Sequence, residues 1–212
     1  MTRVSVALFA GLALLAAALI LVLSGSPLVL ARANPVPPDE PIVKAGGGTG
    51  ACQDGEAVPA HVTSIRLILV AVVGPRVHVT VGSGGRTLTS GTASSGWTSG
   101  AVTVPLAALD RPLGSARVCF ALGGSAEAVE VGGSAAGPAT AARTLDGRVL
   151  PGRFTVEYMK PGSASWWSSI ETVARRLGLG HAPSGTWLAV ILLLAMGAVV
   201  ASACWLAVKE LR

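Results

Sequence analysis

A chain of 212 residues is long enough for one ordinary domain, but 51% hydrophobic residues and a mean hydropathy of +0.63 exclude a disordered chain and exceed what a soluble domain carries. The formal net charge is +5. Residues 34–164 hold ten Lys or Arg against nine Asp or Glu, so most of the excess lies at the two ends. A nucleic-acid footprint needs basic residues clustered on one face, and no such cluster is present.

The first segment, "VSVALFAGLALLAAALILVL" at 4–23, is 20 residues without a charge. As a helix it would be about 30 Å long, the thickness of a bilayer hydrocarbon core. It reads as a transmembrane helix or uncleaved signal anchor. The alternative is a signal peptide cleaved after Ala33, since Arg3 gives a positive start and "ARA" at 31–33 has the A-x-A form. The run is longer than a usual signal core and ends ten residues before Ala33, which favours retention. A Pro/Gly-rich stretch, "NPVPPDEPIVKAGGGTG" at 34–50, then reads as a linker.

From 51 to 161 the hydrophobic period changes to the alternation of strands. In "SIRLILVAVV", Ile65, Leu67, Leu69 and Ala71 share one face opposite Arg66, and the largely apolar second face predicts a central strand. "PRVHVTV" sends Val77, Val79 and Val81 inward, and "GSGG" at 82–85 predicts a turn into "RTLTSG". Further candidates lie at 100–106, 116–122, 127–133 and 153–159, with Phe120 and Phe154 expected in the core. About seven short strands with turn-rich separators and no helical pattern predict an all-β, antiparallel two-sheet β-sandwich of immunoglobulin-like or jelly-roll topology. Trp97 in a Gly/Ser turn fits a true immunoglobulin domain poorly.

After Pro161 and Gly162, Ser163 or Ser165 can cap a membrane-proximal amphipathic helix over 163–178. Trp166, Ile170, Val173 and Leu177 share one face, widened by Trp167, while Arg175 and Arg176 lie on the other. Such a helix suits the membrane interface, with tryptophans at headgroup depth and arginines beside phosphates; packing on the sandwich needs the same face. Trp187 then anchors a second charge-free segment, 187–208, which is 22 residues long and predicts a second transmembrane helix. Its Gly197, Ala198, Ala201, Ser202 and Ala203 suit close packing on a membrane protein partner. Arg3, Lys209 and Arg212 put both termini in the cytoplasm if the first span is retained, and the β-domain outside a plasma (inner) membrane. Thirteen arginines against three lysines with many Ala, Gly and Val suggest a high-GC bacterium, whose exterior is a cell envelope.

Cys52 and Cys119 fall in the exported segment, where a disulfide is expected, while Cys204 lies in the second span. No motif calls for catalysis, a metal or another cofactor. His61, His78 and His181 belong to no metal spacing, "AGGGTGAC" lacks the Lys-Ser/Thr ending of a phosphate loop, and no G-x-S-x-G elbow is present. The carboxylates Glu127 and Glu130, or Asp54 and Glu56, read as surface charges, and Asp110 and Asp146 add no calcium-loop spacing. The expectation is a non-enzymatic accessory or scaffold of a membrane complex, its partners the lipid bilayer and a membrane protein, with no nucleic acid and any small ligand unidentified. The alternative is a module for envelope glycan or lipid-linked sugar, with Trp97 as the ligand contact.

Overall fold

The computed structural model describes residues 3–46, 48–124, 128–169, 197 and 209. The chain divides into two compact units, the body from Leu28 to Pro161 and a second unit formed by the segments on either side of it. In the second unit the first apolar run forms one helix, α1 (Arg3–Ser24). Side chains of α1 are described at residue 11 and from 13 to 24; among the described residues, no helix is long and apolar enough to cross a membrane. Residues 166–169 are helical. The rest of the expected amphipathic helix, with Ile170, Arg175 and Arg176, lies outside the described residues, as do Trp187 and, Gly197 apart, the expected second span.

The body is two antiparallel sheets facing each other. One contains β1 (Leu28–Ala33), β2 (Glu40–Ala45), β4 (Val62–Val70), β7 (Gly100–Leu109), β9 (Val129–Ala135), β11 (Gly152–Phe154) and β12 (Val156–Pro161). The other has the order β10 (Arg143–Thr144), β3 (Gly50–Val58), β8 (Leu113–Leu122), β5 (Val77–Ser83) and β6 (Arg86–Ala93). The predicted sandwich is thus present, and β4 is central as expected. It pairs with β7 along one side, and on the other with β12 at Ser64–Leu67 and with β9 at Leu69–Val70. Alternation explains the core. Ile65, Leu67 and Leu69 are buried from one sheet and Val77, Val79 and Val81 from the other, while Phe120 meets Phe154 edge-on across the gap at 5.2 Å. Each such side chain contributes about 1.5–3 kcal/mol by leaving water.

Two expectations are corrected. The stretch at 34–50 is not wholly a linker, because β2 pairs with β9 from Glu40 to Ala45 and buries Ile42. Nor does the domain begin at 51, since β1 pairs with β12 from Leu28↔Pro161 to Ala33↔Glu157. Both strands were hidden by Pro and Gly spacing and by the overlap of β1 with the tail of a hydrophobic run. The cysteines do form a disulfide, but it joins directly opposed residues of neighbouring strands, Cys52 on β3 and Cys119 on β8, within one sheet. In immunoglobulin domains the corresponding bridge crosses between sheets.

The two sides of the sandwich differ. On one, β6 lies so close to β7 that a Cβ at Gly91 would collide with the carbonyl oxygen of Pro105, and the buried Thr89 hydroxyl donates to Ala107 O at 2.8 Å. That side is closed. On the other, β1 is the edge of its sheet and β3 is covered only by the two-residue β10, so the sandwich stays open between them.

Candidate functional site

The open side holds the main group of buried polar side chains. Along β3 an ordinary alternation with Gln53 inward would send Glu56 outward. A β-bulge intervenes: the register slips between Gln53 and Glu56, Gly55 takes φ = 77°, and Asp54 and Gly55 both face solvent. Glu56 therefore turns inward and is 2% exposed. The surface-charge reading of Glu56 is corrected by this bulge, whereas Asp54 is exposed as expected and is 3.7 Å from Arg117.

Both oxygens of the Glu56 carboxylate are engaged. Oε1 accepts from Gln53 Nε2 at 2.5 Å, from Asn34 Nδ2 at 3.4 Å and from Arg153, its ion-pair partner; Oε2 accepts from the Tyr158 hydroxyl at 3.0 Å. A buried charge needs such compensation. The phenol of Tyr158 is pushed well above its ordinary range by burial first and by the neighbouring Glu56 charge second, so it remains a donor.

The same side chains also complete the backbone where the sheet divides. Between β11 and β12, Phe154 N donates to Gln53 Oε1 at 2.8 Å and Val156 N to Asn34 Oδ1 at 3.0 Å, while Asn34 Nδ2 donates to Phe154 O at 3.0 Å. Gln53, from the opposite sheet, thus takes the place of a strand neighbour. The cluster is a joint between sheets, held by hydrogen bonds and by the Arg153–Glu56 ion pair.

A cavity of about 290 Å³ opens beside this joint, lined by Arg32, Asn34, Val36, Glu56, Ala57 and Arg153. Arg32 reaches it through a second bulge: Leu30 pairs with Met159 and Arg32 with Tyr158, leaving Ala31 as the extra residue. Arg32 is itself exposed, like most of β1, although it is paired with buried Tyr158. Arg32 has no ion-pair acceptor among the described residues, and the Nε–H of Arg153 is buried without a hydrogen-bond partner.

The residues singled out in the sequence lie elsewhere. Trp97 donates its indole N–H to Pro75 O at 2.7 Å and covers Gly74 so closely that a Cβ there would enter its ring. Its backbone also pairs with that of Gly74 at 2.7 Å, so Trp97 packs a loop. His78 is on the exposed face of β5, 3.0 Å from the Thr92 hydroxyl, and His61 occupies a turn at φ = 61°. Glu130 pairs with Lys44 at 2.8 Å, and Glu127, His181 and Cys204 lie outside the described residues. Among the described residues no three His, Cys, Asp or Glu side chains converge as a metal site.

Trp166 and Trp167 are half-exposed in the second unit. Trp166 N donates to Gly25 O at 3.1 Å and Gly162 N to Pro27 O at 2.7 Å, so both tryptophans follow directly from the C-terminal end of α1. Sequence reasoning missed Asn34, Gln53, Arg153 and Tyr158. The available signal was "QDGE": Asp-Gly inside a strand pattern marks a bulge that reverses the next side chain. Comparison with family models, with curated proteins and with solved structures finds no match to the chain.

Proposed function

We propose that this protein is a membrane-anchored β-sandwich of the cell envelope that serves as a non-enzymatic accessory to a membrane complex. The observation that carries the anchor is at the end of α1: Trp166, more than a hundred residues away in sequence, is bonded to Gly25 just past Ser24. Aromatic side chains at the end of an apolar helix suit the headgroup boundary. The charge-free run at 4–23 and the outward leucines Leu14, Leu15, Leu19 and Leu21 support α1 as the part within lipid. Only Gly25, Ser26 and Pro27 separate α1 from β1 in sequence.

The pairing of β1 supports retention of the anchor. Cleavage after Ala33 would remove all of β1 and strip β12 of its edge partner. An accessory role is in keeping with Glu56, whose buried carboxylate serves the joint between the sheets through Gln53, Arg153 and Tyr158. The sugar-binding alternative loses its main support, because Trp97 is committed to Gly74 and Pro75.

The test is alkaline carbonate extraction of membranes, with the intact mass of the extracted protein. Retention in the membrane pellet at the full 21.2 kDa is expected. Release into the supernatant, or a chain beginning at Asn34, would overturn the anchor. Co-purification in mild detergent, with 187–208 replaced in the control, then tests the accessory role; a specific membrane partner recovered only with the native segment is expected.

A further inference from the structure

We propose that Cys119 is a redox site, the sulfur at which a dithiol reductant attacks the Cys52–Cys119 disulfide while the protein stays folded. This site stands independently of the membrane anchor. The disulfide lies on the outer face of its sheet. Along β8, Ala116, Val118, Phe120 and Leu122 are buried, while Arg117, Cys119 and Ala121 between them are exposed or partly exposed. The two sulfurs are not equally open, since Cys119 is partly exposed and Cys52 only 5% exposed. A cavity of about 350 Å³ opens at Cys119, lined also by Thr80, Gly82 and Arg117. Gly82 helps to keep it open, because a Cβ there would lie 2.7 Å from the carbonyl oxygen of Arg86.

Direction decides which sulfur reacts. A thiolate attacks one sulfur of a disulfide in line with the bond that breaks. The strands run in the order β10, β3, β8, β5, so the bond extended past Cys119 runs toward Thr80, its opposite on β5, and toward the cavity. Extended past Cys52, it runs toward Arg143 on β10. The incoming thiolate therefore bonds to Cys119 Sγ, the S–S bond breaks, and the electron pair leaves on Cys52 Sγ, which takes a proton from water.

The pairing also sets the class of reductant. Cys52 and Cys119 are directly opposed, so a freed Cys52 thiolate re-attacks Cys119 Sγ and expels a monothiol. The second thiol of a dithiol instead attacks its own sulfur in the mixed disulfide. Cys119 is then released and protonated, and the reductant leaves as a disulfide, two electrons having passed to the protein. Ala51↔Phe120 and Gln53↔Val118 remain paired on either side of the break. Reduction removes the covalent tie next to Gln53, the residue that holds Glu56 and Phe154 in the joint.

The test uses the full chain with Cys204→Ser in an uncharged detergent, so that only the disulfide can react. Dithiothreitol should reduce it without urea, at a rate that changes less than about twofold with urea below the unfolding transition. Glutathione at the same thiol concentration should leave most of the bond intact. The trace of mixed disulfide trapped by acid quenching should map to Cys119 by peptide mass. Thr80→Tyr, which fills the cavity from a partly exposed position, should slow reduction about tenfold or more. Ala101→Tyr, exposed on the other sheet, should leave the rate unchanged. Melting temperatures equal to the parent's show that the variants are folded. The site is overturned if reduction waits for unfolding, or if glutathione reduces as fully as dithiothreitol or is found on Cys52. It is equally overturned if a folded Thr80→Tyr reacts as fast as the parent.

Discussion

The closed and open sides of the sandwich solve one problem in opposite ways. At β6 and β7, a missing side chain lets two backbones touch, and Gly91 against Pro105 with Thr89 against Ala107 seals the edge with little polar chemistry. At β1 and β3 the gap is wider and is bridged by charge, with Glu56 at the centre and partners from β3, β11, β12 and the residue after β1. Contact of small residues leaves no room for a ligand. Bridging by long polar side chains leaves a cavity beside it.

That contrast can be broken at either side. The largest effect is expected at the disulfide, which ties open-side β3 to β8 and closes a loop of 67 residues in sequence separation. Replacing both Cys52 and Cys119 by Ala should cost about 4 kcal/mol in the chain-entropy account, read from urea unfolding. Next comes Glu56→Ala, which strands Arg153, Gln53, Asn34 and the Tyr158 hydroxyl and should cost about 3 kcal/mol. Glu56→Gln should recover part of that loss; equal losses would mean the charge is irrelevant and only the hydrogen bonds matter. On the closed side, Gly91→Ala should cost about 2 kcal/mol through overpacking against Pro105. Its loss should add to that of Glu56→Ala in the double variant, since it acts on the other side of the sandwich; a non-additive loss would mean the two sides are coupled.

The legible part of the fold was its alternating strands. β4, β5 and the hairpin into β6 follow from period-two burial and from the Gly84-Gly85 turn, both glycines having positive φ. The disulfide was legible from compartment and number, although its placement within one sheet depends on register that spacing does not encode. β1 and β2 were obscured because an edge strand needs no alternating pattern: β1 is exposed at nearly every position, and β2 carries a proline at Pro41 beside a bulge. The candidate site was hidden more deeply. Glu56 looks like a surface residue unless the bulge at Gly55 is read, and its partners Asn34, Arg153 and Tyr158 come from distant segments joined only by folding.

The smallest predicted effect separates the joint from the rest of the titrating surface. Tyr158 has its phenol pKa raised above the ordinary 10.0 by burial and by Glu56, so the native state holds its proton where the unfolded chain releases it. Below about pH 10 both states are protonated and the contribution is fully present. Above it the unfolded state binds fewer protons, and stability falls by up to about 1.4 kcal/mol per pH unit from this one group. Lys44 titrates in the same region, its pKa raised chiefly by the hydrogen bond to Glu130, and its contribution is likewise lost as pH rises. Tyr158→Phe removes only the first of these, so it should lower the neutral plateau by the lost donor to Glu56 and flatten the alkaline limb. Lys44→Ala should leave the steep part of that limb in place. An unchanged slope in Tyr158→Phe would mean that the phenol ionises without unfolding the open side, and that Glu56 tolerates a second negative charge beside it.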